Sequence, residues 1–314
     1  FGQLKVSEES KNVKDWLNLL PSGGLFHCPR LFSKICRNLS QFPDHLIHSH
    51  LLPALSCSSH DGLILSQELW ENVIGKFPYA QRYSIYGGWL DNFYEANSAV
   101  ESTMIWGPLI RANSIGEARK VMRRLAKENV RQYGRLVAKV THSNPVIVLP
   151  LILDQLQAYD NIIPAVVDAF RYLTPLSFDV LVFCLLRALS SPERDRLKED
   201  GTNIAAWLQN LAQFSASIFR KYAQTLDPAP LLRYIFTQLL DDNCLDVVIL
   251  QALLSHMAAI ERPENVSEVL NEVVASAGPV LIEQVRGQQV ITGGLTPSRR
   301  AMACLKSALE SEKL

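Results

Sequence analysis

From about residue 114 onward the apolar positions recur with helical spacing. Ala118, Val121, Met122 and Leu125 fall at i, i+3, i+4 and i+7, one stripe along a helix. Ser114 and Glu117 stand three apart at the head of this stripe, the pattern of a capping box, which predicts a helix start at 114. Other starts are marked by a short polar residue or a proline, both suited to the free N–H groups of a first helical turn. They are Asn144-Pro145, Asp160, Thr174-Pro175, Ser191-Pro192, Thr202, Asp227-Pro228, Asn243 and Thr296-Pro297. The helices so delimited run roughly 12 to 22 residues with short links, which favours antiparallel packing of neighbours.

Pairs of this kind at ~40-residue spacing, with little identity between them, suit a HEAT-like α-solenoid. One segment competes with this picture. VIVLPLIL (146–153) is rich in β-branched residues and contains Pro150, which disturbs a helix interior. A lone strand has no sheet to join, so the segment is assigned to a helix with a kink or a late start at Pro150. In NIAAWLQNLAQF the periodicity places Trp207 in the core. Residues 1–113 are less regular: LPSGG (20–24) and SCSSHDG (56–62) bracket short helices near 28–40 and 44–56, and 97–113 forms a connector. The expected architecture is all-α, an irregular helical N-terminal part (1–113) followed by a solenoid of helical hairpins (114–314).

Composition agrees with a folded chain. Among 314 residues 48% are apolar and 20% charged, outside the range of disordered polypeptides. The six cysteines (28, 36, 57, 184, 244, 304) show no CxxC spacing and read as free thiols of a reducing compartment. No apolar run approaches the ~20 residues needed to span a bilayer. The helical pattern is already under way at both ends, as expected of a fragment of something longer.

Charge changes the picture more. The net charge is zero, yet residues 117–139 hold eight Arg or Lys against two Glu, a net +6. Lys120, Arg124, Lys127 and Arg131 recur at i, i+4, i+7 and i+11 opposite the apolar stripe, with Arg119 and Arg123 beside them. Such a row is either a solvated face or a cationic surface for phosphates or an acidic protein. These six residues are the candidate contact residues for a partner or for RNA.

Other constellations weigh less. His45-x-x-His48 and Cys57-x-x-His60 have ligand-like spacings, but none of the usual zinc patterns is complete, so no metal is assigned. GxSxG, P-loop, GxGxxG and HExxH motifs are missing, and Asp179 and Asp241-Asp242 suggest no acid/base pair, so neither an enzyme nor a cofactor is expected. RYSIYGGWLDNFYEAN (82–97) concentrates aromatic residues, with Ile85, Trp89 and Phe93 four apart. A stacking platform for single strands would interleave basic residues, and only Arg82 is there, so core packing is favoured.

The segments RYSIYGGW, RRLAKENVRQYGRLVAKVTHSNPVIVL and ILDQLQAYDNIIPAVVDAFRYLTPLSFDVLVFCLLRAL carry a resemblance. With them, and with NIAAWLQNLAQFSASIFRKY further on, the chain resembles the family of largest scaffold subunits of the THO complex, part of the THO/TREX transcription-export assembly. The likeness covers roughly residues 65–314, fades near 262–292 and recovers in LTPSRRAMACLKSAL. It implies the central fragment of a nuclear, non-catalytic scaffold. Such a scaffold organises the other THO subunits, docks a DEAD-box RNA helicase and serves nascent messenger ribonucleoprotein, with no membrane involved. The regular array is similar to the HEAT-like middle domain of translation-initiation scaffolds. The alternative is a helical repeat protein that binds RNA or DNA directly, without sequence specificity, through residues 117–139.

Overall fold

The computed structural model describes residues 24–38, 45–58, 61–94, 106–191, 194–198, 201, 203–258 and 297–311. They form helices and turns. The one extended pairing among them is an isolated antiparallel bridge between Leu197 and Ile204. The chain is all-α, and it divides into two compact units. One comprises residues 1–155 with 159–191, the other 156–158 with 192–314.

The first unit contains α1 (Pro29–Arg37), α2 (Leu52–Cys57), α3 (Gly62–Asn72), α4 (Tyr79–Trp89), α5 (Trp106–Met122), α6 (Val130–Ser143), most of α7 (Pro145–Ala158), α8 (Ile163–Ala169) and α9 (Pro175–Leu189). A π-helical turn, Ile47–Leu51, leads into α2, with the Leu52 N–H bonded to the Ile47 carbonyl. Pro53 explains the widening, because its ring would collide with the carbonyl four residues back in a regular helix.

α6 is central to this unit and packs on α3, α5 and α8. Gly134 allows the close approach to α8: a Cβ there would sit 3.1 Å from the Cα of Ala169. The aromatic segment is core, as its spacing suggests. Ile85, Tyr86, Trp89, Phe93 and Tyr94 are all buried.

The second unit is built from α10 (Ala206–Lys221), α11 (Ala229–Leu240), α12 (Val247–Ala258) and α13 (Pro297–Ser311). α10 and α12 form its principal pair, and α13 packs on α10, α11 and α12 through Ala301, Leu305 and Ala308.

Several sequence expectations change. The helix expected to start at Ser114 begins at Trp106, and Ser114 is a buried mid-helix residue. Pro108 fits that earlier first turn because its missing N–H would have had no helical acceptor there. Gly107 fits it as well, because any Cβ would collide with the Phe93 carbonyl. The segment 146–153 is helix throughout: α7 starts at Pro145 and runs through Pro150. Its apolar residues are buried almost all round, so helical propensity matters little beside burial. Asn144 stands at the start of α7, but its side chain does not cap the helix. Its Oδ1 accepts a hydrogen bond from the Tyr94 hydroxyl at 2.6 Å instead.

Thr174 does cap α9, its hydroxyl accepting from the Ser177 N–H, and Asp227 Oδ1 accepts from the Ala229 N–H at the head of α11. Trp207 is half-buried rather than part of the core, and its indole N–H donates to the Asp195 carbonyl at 2.9 Å. The expected starts at Thr202 and Thr296, and His60 of the ligand-like pair, lie outside the described residues.

Candidate functional site

The basic segment is not one helix. α5 ends at Met122, Arg123 and Arg124 form a turn, Lys127–Asn129 make a single 3-10 turn, and α6 begins at Val130. The row Lys120, Arg124, Lys127, Arg131 therefore runs round a corner between two helices. Asn129 fastens this corner. Its amide donates to the Arg124 carbonyl at 2.6 Å, and its Oδ1 accepts from the Ala126 N–H at 2.8 Å. Leu125, beyond the end of α5, still reaches the core and packs against Val130, Ala165 and Ala169. The apolar stripe thus continues across the break, which is why the sequence reads as one helix.

All six candidates, Arg119, Lys120, Arg123, Arg124, Lys127 and Arg131, are exposed, and none forms an ion pair among the described residues. Helix electrostatics separates them into two sets. Arg119 and Lys120 lie in the last turn of α5, with Arg123 and Arg124 just after it. Positive charge there offsets the partial negative charge of the unpaired carbonyls, so a folding role accounts for these four.

Lys127 and Arg131 flank the start of α6. A helix start carries partial positive charge, so cations there oppose the dipole. The helix dipole gives these two cations no stabilising role. The sequence alone concealed this distinction, because the row seemed to lie on one continuous helix.

Buried polar groups also tie the elements of the first unit together. Ser56 Oγ accepts from the Trp89 indole at 3.0 Å, donates to the Leu52 carbonyl at 2.9 Å and lies 2.8 Å from the Tyr94 hydroxyl oxygen. Ser143, at the end of α6, donates to the Ser58 carbonyl. Arg82 makes a two-point bond to Asp179, and Tyr86 donates to the same carboxylate at 2.7 Å. Burial and the adjacent carboxylate hold the Tyr86 phenol well above its usual range. Asp179 is therefore a structural brace in this fold. Sequence inspection finds no cue to these partners, which lie 33 to 97 residues apart.

The histidines are placed differently from one another. His45 is exposed, whereas His48 and His50, on the π-helical turn, have Nδ1 atoms without hydrogen-bond partners. Burial lowers the affinity of both for a proton. Among the described residues no three His, Cys, Asp or Glu side chains gather as metal ligands would. No helix among them is long and apolar enough to cross a membrane.

By fold and surface, this is an all-helical chain presenting a positively charged corner that Asn129 fastens. Two family profiles match it: "THO complex subunit 2 N-terminus" over residues 25–135, and "Transcription- and export-related complex subunit" over 137–212. THO complex subunit 2 of Homo sapiens is 38% identical over 259 residues, covering 82% of this chain and 15% of that protein. The subunit 2 of Arabidopsis thaliana is 37% identical over 230 residues, covering 73% and 12% respectively. That of Saccharomyces cerevisiae is 26% identical over 214 residues, covering 68% and 13%. The chain belongs to the THO complex subunit 2 family, and it spans about 15% of the length of the curated animal relatives it matches.

Proposed function

We propose that this chain is a non-catalytic scaffold segment of a nuclear THO complex, coupling transcription to messenger RNA packaging and export. In this reading it holds other THO subunits and docks a DEAD-box RNA helicase near nascent ribonucleoprotein. Family membership supports the THO assignment, because the relatives bear the name of a subunit of that complex. In this reading residues 114–314 take the part of the HEAT-like, helicase-docking domain. The less regular part before it packs against other subunits.

The observation that favours a partner surface at the corner is the placement of Lys127 and Arg131 against the α6 dipole. Direct binding of RNA or DNA through the same cations is the second reading, since isolated cations attract phosphates without sequence preference. The double charge reversal Lys127→Glu/Arg131→Glu separates the two. Docking predicts that co-purification of THO subunits or helicase falls at least fivefold while affinity for a 20-nucleotide RNA stays within twofold. If RNA affinity falls for every sequence, its salt dependence flattens and co-purification is intact, the RNA reading replaces the docking one.

A further inference from the structure

Behind the corner a groove of about 560 Å³ opens between the end of α2, the outer side of α5 and the second half of α6. Its apolar walls are Ile110 and Val121 of α5 with Leu136 and Val140 of α6. Leu136 is 42% exposed, unusual for a leucine on a helix so central to its unit. One turn before Ile110 on the same strip of α5 stands Trp106, 56% exposed, with Leu109 beside it at 50%. Trp106 and Leu109 are not among the residues that line the groove, and they extend the exposed apolar surface of α5.

The charged lining of the groove is net positive. Lys120 and Lys139 stand at its edges and are exposed. Deeper in, the Asn144 amide nitrogen and the Ser114 hydroxyl make no hydrogen bond among the described residues, the Asn144 oxygen being taken by Tyr94. Burial raises the Cys57 thiol to about 11, so this wall residue stays protonated. Against these donors stands one carboxylate, Glu117. With two lysines against one carboxylate the charged lining is net positive, and a ligand that carries carboxylates complements it.

We infer that this groove binds a short acidic peptide segment of a partner protein, its apolar side chains seated on Ile110, Val121 and Leu136 and its carboxylates on Lys120 and Lys139. A nucleic acid fits less well. The lining residues include no aromatic ring for successive bases to stack on, and Glu117 repels phosphate. The inference rests on the scaffold reading only in taking the partner to be a protein, and it concerns different lysines from the corner test.

A random 16-residue peptide library displayed on phage and selected against the purified chain tests it. The expected result is enrichment of acidic sequences with two or three spaced apolar residues. Synthetic versions should lose at least tenfold in affinity for Lys120→Glu/Lys139→Glu and for Leu136→Lys. All three positions are exposed, but Lys120 also offsets the carbonyl end of α5, so Lys139→Glu and Leu136→Lys singly, with unchanged circular-dichroism melting, separate a lost site from a lost fold. Lys127→Glu/Arg131→Glu should change peptide affinity less than threefold. Selection of no binder, enrichment of basic peptides, indifference to the groove variants, or full competition by a 20-nucleotide RNA would each overturn the inference. None of these outcomes bears on co-purification with THO subunits, so the two proposals can fail separately.

Discussion

Each unit contains the same three-residue brace, used for different ends. In the first, Arg82 of α4 binds Asp179 of α9 at 2.8 and 2.9 Å, and the Tyr86 hydroxyl joins at 2.7 Å. In the second, Arg196 binds Asp246 at 2.9 and 3.3 Å, and the Tyr234 hydroxyl joins at 2.8 Å. The first brace fixes one long helix against another across 97 residues of sequence. The second holds the irregular stretch 194–198 to the turn before α12, helped by the Trp207 bond to Asp195. A charged network in helix packing sets register; the same network at a loop supplies order that the loop's few apolar contacts do not provide.

The two braces should therefore break differently. Asp246, with its side chain 1% exposed, is buried more deeply than Asp179 at 12%. Arg82 also keeps the Phe77 carbonyl at 2.7 Å and the Trp70 ring at 5.6 Å when its carboxylate is removed. Asp246→Ala is expected to cost about 3–5 kcal/mol in urea unfolding, and Asp179→Ala ~3 kcal/mol or less. Hydrogen exchange sharpens the contrast. Loss of Asp246 should free amides of 194–205 first, whereas loss of Asp179 should loosen α4 and α9 together. Equal and global loss of protection in both variants would dissolve the distinction.

A smaller effect is expected at Trp207. Because it is half-buried and holds one carbonyl, Trp207→Ala should cost about 1–2 kcal/mol, well short of a core tryptophan. A loss of 4 kcal/mol or more would return it to the core that its helical spacing implies.

This residue also shows what was legible in advance. The apolar period located nearly every helix after 114 and read the aromatic run 82–97 as core, because burial follows local spacing. It misplaced Trp207, since a side chain on the edge of an apolar stripe is buried or exposed according to a loop elsewhere in the chain. It also lined the cations up on one helical face, because Leu125 keeps the stripe in phase across a corner that Asn129 fastens. The candidate cations were visible individually. Their opposition to a helix dipole was not, because that depends on where α6 begins.

A pH effect distinguishes the first unit further. Burial brings the His142 pKa down to about 4, whereas the unfolded chain protonates near ~6.5. The unfolded state binds more protons below that value, so stability is whole above pH ~6.5 and declines as pH falls towards 4. His142→Leu should flatten this decline by about 1–2 kcal/mol between pH 6.5 and 4.5, measured by denaturant midpoints. An unchanged slope would place the acid sensitivity of this unit elsewhere.

The smallest expected change has the most telling sign. Lys127→Glu/Arg131→Glu should leave the fold intact or stabilise it by about 0.3–1 kcal/mol per site, since acidic groups suit a helix start. Destabilisation of more than ~1 kcal/mol would show that these cations serve the fold, removing the argument that they serve a partner.

The scaffold account is tested most directly by capture of the DEAD-box helicase on the immobilised chain, with and without ribonuclease treatment. The account expects the helicase to be retained equally in both conditions and its ATPase rate to change when the chain is added. Retention that vanishes with the RNA, with no effect on the ATPase, would contradict it.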